Sequence, residues 1–247
     1  TASTEAKSPT TVHIQSVSGQ YWLFLPSSAD LGALTLDFDA GTAYISSGRR
    51  SASIISGEPF DFAGLFDGTP QNGVYTVYLS SGRKCLSLNV MRSENLHSLY
   101  ITSADPEKDR TWVEQNKNNK AKKNPMVLLR ADGSCVYDGI LKNIKGRGNS
   151  TWEYPKRPYQ IKLAEKTDLL DAGEPPEATW VLLANYADPS LIRNSLTFDL
   201  ADRFGAAYSP NCQMTDLYYD GEYRGTYLLS EKTEIGEGRV QINDLDK

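Results

Sequence analysis

The chain has 247 residues, is 39% apolar and 10% aromatic, and carries a formal net charge of −5. That length points to about two domains. The apolar content excludes a disordered chain, and the acidic balance excludes a dedicated nucleic-acid binder. No apolar run approaches the ~18 residues needed to span a bilayer.

The chain opens TASTEAKSPT, without Met, a basic n-region or an apolar h-region, as expected of a trimmed start or a removed signal peptide. Cys85, Cys135 and Cys212 stand far apart in no metal-ligand spacing; one disulfide with a thiol left over, or three buried free thiols, both fit the count. The only histidines, His13 and His97, lie far from other ligand types, so neither a His-based zinc site nor a Ser-His-Asp triad is expected.

From Thr11 to Thr102 the chain reads as short strands between turns. Leu34/Leu36/Phe38, Tyr75/Val77/Leu79 and Leu86/Leu88/Val90 alternate with period 2, each the mark of a strand with one buried face. Ser18-Gly19, Ser47-Gly48, Asp67-Gly68, Asn72-Gly73 and Ser81-Gly82 punctuate them. This spacing predicts an antiparallel β-sandwich over residues 1–103, an accessory domain. Its aromatics (Tyr21, Trp22, Phe24, Tyr44, Phe60, Phe62 and Phe66) read either as a sugar-stacking platform or as core fillers. No carboxylate pair has glycosidase spacing. Residues 104–122 lose apolar periodicity, and four lysines fall between Lys117 and Lys123, so a solvated linker or edge loop is predicted there.

The second domain is expected over 123–247. Strand-like MVLLR and ILKNI lead to Gly146-Arg147-Gly148, a bend that reads as a plain turn or as backbone approaching a phosphate. Pro155 and Pro158 then fix an extended path into Tyr159–Leu163, where Tyr159, Ile161 and Leu163 share one face and Gln160 and Lys162 the other. A strand lysine 14 residues after a glycine bend is placed to reach a phosphate under it, the geometry of a kinase Gly-rich loop and strand Lys; the alternative is a solvated lysine. A helix is predicted with Asp188 as N-cap, Pro189 at the first turn, Ile192, Leu196, Leu200 and Phe204 on its buried face, and Gly205 as stop. Asp199 either pairs with Arg203 four residues on or anchors Lys162. Finally, Thr215–Tyr219 and Glu222–Leu229 flank Asp220-Gly221, a strong hairpin signal.

GRGNSTWEYPKRPYQIKL, WVLLANYADPSLIRN and LYYDGEYRGTYLLSEKTEIGEGRV, in that order, resemble the CotH kinase family, a group named for a bacterial spore-coat protein and found in secreted bacterial proteins. The resemblance covers about residues 124–247. It implies a mainly β, α+β chain: the β-sandwich followed by a unit like the small lobe of a kinase. It further implies an atypical Ser/Thr protein kinase that binds ATP with Mg²⁺ or another divalent metal and acts on secreted or cell-surface protein; an adhesin or carbohydrate-binding protein on a surface glycan is the rival. Gly146, Arg147, Gly148, Asn149, Ser150 and Thr151 then resemble the phosphate-facing loop, Lys162 the phosphate-contacting strand lysine, and Leu229–Lys232, with Glu231, the hinge that meets the adenine. Asp188, Arg193, Asn194 and Asp199 would support the site from the helix. In the family the catalytic and metal-binding aspartates come later than Lys247, so no catalytic or metal residue is expected in this sequence. The expectation is a segment inactive alone, with apolar surface exposed along 215–235.

Overall fold

The computed structural model describes residues 10–70 and 72–242. It divides into two compact units, one holding Thr11–Leu96 with Ala131–Gly133, the other His97–Arg130 and the chain from Ser134 onward. Both are mainly β, as expected from the alternation.

The first unit forms β1 (Gln15–Val17), β2 (Gln20–Leu25), β3 (Leu34–Thr35), β4 (Thr42–Ser47), β5 (Arg50–Ile55), β6 (Pro59–Phe60), β7 (Val74–Ser81) and β8 (Lys84–Arg92). Six strands make one sheet in the order β1-β2-β8-β7-β4-β5, while β3 pairs with β6 in a separate ribbon. The sheet is not wholly antiparallel: β2 runs parallel to β8. Those two strands are distant in sequence, so no tight turn dictates their relative direction. Leu23, Ile45, Ile54, Val77, Leu88 and Val90 bury one face beneath Phe62 and Leu65. The aromatics divide between core and surface. Phe62 sits in the core and packs its ring against Phe60, Phe66 and Tyr75, whereas Tyr21 and Tyr44 are exposed.

The second unit forms β9 (His97–Ile101), α1 (Arg110–Gln115), β10 (Lys120–Ala121), β11 (Pro125–Leu129), β12 (Cys135–Gly146), β13 (Tyr159–Thr167), β14 (Glu177–Leu183), α2 (Arg193–Arg203), β15 (Cys212–Tyr219) and β16 (Glu222–Glu231). Its strand order is β10-β12-β11-β9-β15-β16-β14-β13, and β13 pairs back onto β12. The sheet therefore closes on itself. β12 makes closure feasible because its first half pairs with β11 (Ile140 with Pro125) and its second half with β13 (Ile144 with Ile161), across an irregularity at Leu141–Asn143. Inside lie Leu99, Met126, Leu141, Ile144, Tyr159, Ile161, Trp180, Leu217, Tyr227 and Leu229. The predicted facing of β13 holds, with Tyr159, Ile161 and Leu163 inward.

The structure differs from the sequence expectation at β9, at 104–122 and at α2. First, His97–Ile101, expected in the first domain, forms β9 and pairs with β11 and β15 in the barrel. Its run of buried residues suits a strand covered on both faces, which leaves no alternation to read. Second, 104–122 is not a linker. Asp109 caps α1 through the Trp112 amide (2.8 Å), Val113 is buried in the barrel core, and Lys120–Ala121 pairs with β12. Third, the apolar stripe of α2 faces solvent: Ile192, Leu196, Leu200 and Phe204 are 52%, 50%, 41% and 86% exposed. The helix turns its half-buried Ser195, Phe198 and Ala201 to the protein instead. Exposed apolar side chains stand on α2 and, within 215–235, at Ile235, while Thr215–Tyr219 and Tyr227–Glu231 are buried. The cysteines are unpaired, with Cys85 exposed and the other two half-buried.

The facing of α2 has a direct consequence for stability. Leu200→Gln should change unfolding free energy by less than about 0.5 kcal/mol. Ile161→Ala, emptying a site inside the barrel, should cost about 2–5 kcal/mol in urea unfolding.

Candidate functional site

β12 ends in the bend at Gly146–Gly148, and packing explains both glycines. A Cβ on Gly146 would lie 2.2 Å from the Trp152 ring, which folds back from the short 3₁₀ turn Ser150–Glu153. Gly148 has φ +86°, and a Cβ there would meet Thr151 Oγ1 at 2.1 Å. The Arg147 amide donates to Pro158 O at 3.2 Å, and Asn149 O accepts from the Trp152 amide at 3.0 Å. Lys117, read from sequence as part of a solvated run, instead donates to Gly148 O at 2.9 Å. Among the described residues, nothing accepts a hydrogen bond from the Gly148 or Asn149 amide.

The two basic residues between the prolines both lie against aromatic rings, and neither pairs with a carboxylate among the described residues. The Arg157 guanidinium lies 4.9 Å over the Trp152 ring. Lys156 donates to Thr226 O and sits 4.5 Å from the centre of the Tyr227 ring. Burial pulls its pKa down to about 8, with Asp216 opposing.

Outside the barrel, register aligns Gln160 with Val181 and Val181 with Ser230 in one row across β13, β14 and β16. Phe198 of α2, Lys232 and Arg147 join this row around a cavity of about 210 Å³. A second cavity of about 250 Å³ is lined by Arg147, Tyr154, Tyr186, Asp188, Arg193 and Asn194 among others. Arg147 borders both. Burial lowers its pKa, and no carboxylate among the described residues pairs with it. Its neighbours are paired: Arg193 with Asp188 at 3.5 Å and Lys232 with Glu234 at 2.6 Å. A half-buried guanidinium without a carboxylate partner carries a desolvation cost that no ion pair offsets.

The other expected residues fall into place around it. Lys162 faces outward like Gln160 but lies opposite Asn143 and Thr179 and lines neither cavity. It stands about 10 Å along the strand from Tyr159, the residue level with Gly146. Asn149 and Ser150 lie at the exposed rim of the bend. Asp199 is engaged by Arg203 at 2.8 Å, with no ion pair to Lys162. Asp188 is not the helix N-cap; Ile192 precedes α2. Its carboxylate accepts from the Ser190 hydroxyl (2.6 Å), the Ser190 amide (3.1 Å) and the Arg193 amide (2.9 Å), and the Ser190 bond leads in holding its pKa below the usual carboxylate range.

Glu231 turns inward. It is buried in an ion pair with Arg239, and also accepts from the Asn211 amide at 3.0 Å and the Tyr208 hydroxyl at 3.3 Å. Arg239 in turn lies 5.2 Å over the Trp180 ring. Sequence reading missed Arg239; the signal available was an arginine eight residues past a strand-ending glutamate.

Residues 144–247 match the family model described as CotH kinase protein. Over this segment the chain is similar to that family. The comparison with curated proteins found no match. The CotH match begins at Ile144, so it takes in the bend, both cavities, α2 and the Glu231–Arg239 pair, while β9, β10, β11 and most of β12 lie before it.

Two measurements check this picture of the CotH segment. Glu231→Gln leaves Arg239 buried beside a neutral partner and should lower stability by about 3–5 kcal/mol, read by urea unfolding. Lys156 supplies a pH test. Its folded pKa is about 8 against 10.5 unfolded, so between those values the unfolded chain holds the extra proton and stability rises with pH. Measured as the difference between wild type and Lys156→Met, that rise should appear across this window, and identical pH profiles would refute it.

Proposed function

We propose that the CotH-type segment binds the phosphates of a nucleoside triphosphate on the outer face of β13, β14 and β16, as part of an atypical Ser/Thr protein kinase. The observation that carries this reading is Arg147: a partly desolvated guanidinium without a carboxylate partner, presented by a bend with free amides, at the meeting of two cavities. A phosphate there would gain charge-assisted hydrogen bonds while relieving the desolvated charge. Gln160 and Ser230 add neutral hydrogen-bonding groups on the floor, and the Ser230–Thr233 backbone borders the same cavity, the place where the family resemblance puts the base. Glu231 supports that edge through Arg239 and contributes no side chain to the base. Lys162, one pleat farther along, meets the outer phosphates of a triphosphate extending up the strand.

Kinase chemistry also calls for a divalent metal, and these residues do not form a site for one. Among the described residues no three His, Cys, Asp or Glu side chains stand together. Asp188 and Glu231 spend their oxygens on their own partners. The segment's part is to bind and orient nucleotide, with protein as phosphate acceptor and a secreted or cell-surface bacterial setting, both carried by the family resemblance.

Calorimetric titration of the chain with ATP tests this. Arg147→Ala should weaken binding by about 1–3 kcal/mol, with Lys162→Ala losing less. An ATP affinity unchanged by Arg147→Ala would remove the site from this face.

A further inference from the structure

The first unit carries a second, chemically different surface. In its six-stranded sheet, the residues opposite the buried set put Trp22 beside Asn89, Asn89 beside Thr76, Tyr78 beside Ser46 and Tyr44 beside Ser53. No strand residue directed to this face is Asp, Glu, Lys, Arg or His. The charged strand residues fall on the other alternation set, where Arg50 bonds Gly64 O and Phe66 O and Arg92 bonds Ser27 O. Tyr44 and Tyr78 are 64% and 50% exposed. They occupy diagonal positions on adjacent strands, their Cα atoms about 7–8 Å apart. Trp22 lies two strands from β7, about 10 Å away, with its ring parallel to that of Phe24 at 5.6 Å. Between them the polar groups are ordered: Thr76 Oγ1 donates to Asn89 Oδ1 at 3.0 Å, and Asn89 Nδ2 reaches Gln20 Oε1 at 3.5 Å.

We infer that this face binds an uncharged, flat polysaccharide chain of the β-1,4-linked glucan or chitin type. Such a chain offers C–H faces to stack on Trp22, Tyr44 and Tyr78, and equatorial hydroxyls to bond the serine, threonine and asparagine rows. The two-strand spacing between β2 and β7 is close to the two-sugar repeat of such a chain. Charge decides the class: an acidic polysaccharide finds no cation here, and a protein partner finds none of the complementary charges of a protein interface, its apolar side chains Val17, Ile55 and Met91 lying apart at the margins of the face among serine, threonine and asparagine. The inference is independent of the kinase reading, because all of its residues belong to the first unit.

Co-sedimentation of the full chain with microcrystalline cellulose and with chitin tests it, polygalacturonate gels serving as the charged control. Retention on cellulose or chitin is expected. The double substitution Tyr44→Ala/Tyr78→Ala should weaken it at least about tenfold with thermal melting unchanged, and cellohexaose or chitohexaose should shift tryptophan fluorescence. No retention on either neutral polymer, retention only on polygalacturonate, or retention indifferent to the double substitution would overturn the proposal. So would a concentration-dependent dimer abolished by those substitutions, which would assign the face to self-association.

Discussion

The pairing of β12 with both β11 and β13 is the constraint on which the second unit depends. It turns seven strands into a closed sheet with β10 as a short eighth addition, and closure removes the edges that an open sheet would have to protect. It also leaves each strand one inward and one outward set, so register decides which side chains meet. Gln160, Val181 and Ser230 share a row for that reason alone. The bend at Gly146 lies where β12 runs out of partners, and Trp152 packed on that glycine holds the exit fixed. Position of the site and closure of the barrel are one fact seen at two scales.

Charge is distributed to match. At α1, Arg110 bonds Glu114 (2.8 Å) and Glu222 (2.6 Å), Arg224 approaches both acids, and Tyr159 donates its hydroxyl to Glu114 from inside the barrel. The Asp220 carboxylate accepts from the Ser103 amide and hydroxyl and from the Arg110 amide. Beside Trp180, Glu231 and Arg239 neutralise each other. Buried pairs of this kind add little net stability, but losing one partner is expensive, so they act as fixed fasteners. Against this background of compensated charge Arg147 stands out.

Local features were legible in the sequence and long-range ones were not. The alternation of Tyr159, Ile161 and Leu163 needs only a period of 2 and was right. Asp220-Gly221 also behaves as read, both residues at positive φ between Tyr219 and Glu222. Closure left no local mark, because whether β12 and β13 meet depends on every strand between. The four-residue spacing of Ile192, Leu196, Leu200 and Phe204 suggested a buried face, yet small Ser195 and Ala201 beside Phe198 make the closer approach. Gly146-Arg147-Gly148 drew attention for its glycines, which serve packing, while the arginine between them borders both cavities. Nothing in the sequence says that a particular arginine will lack a carboxylate. That is settled by where all the acids go.

The two outward surfaces make the same point about ligand class. Each is a sheet face fixed by register, with side chains that the core does not use. On the CotH-type segment the residue left over is a cation, and leaving it desolvated and unpaired is unfavourable until an anion arrives. On the outer sheet face of the first unit no strand residue is charged; the groups presented are hydroxyls, amides and ring faces, which a charged ligand would have to desolvate to reach without compensation. The character of the groups presented, more than the size or depth of either surface, is therefore what the two proposed ligand classes rest on, an anion at one and a neutral chain at the other.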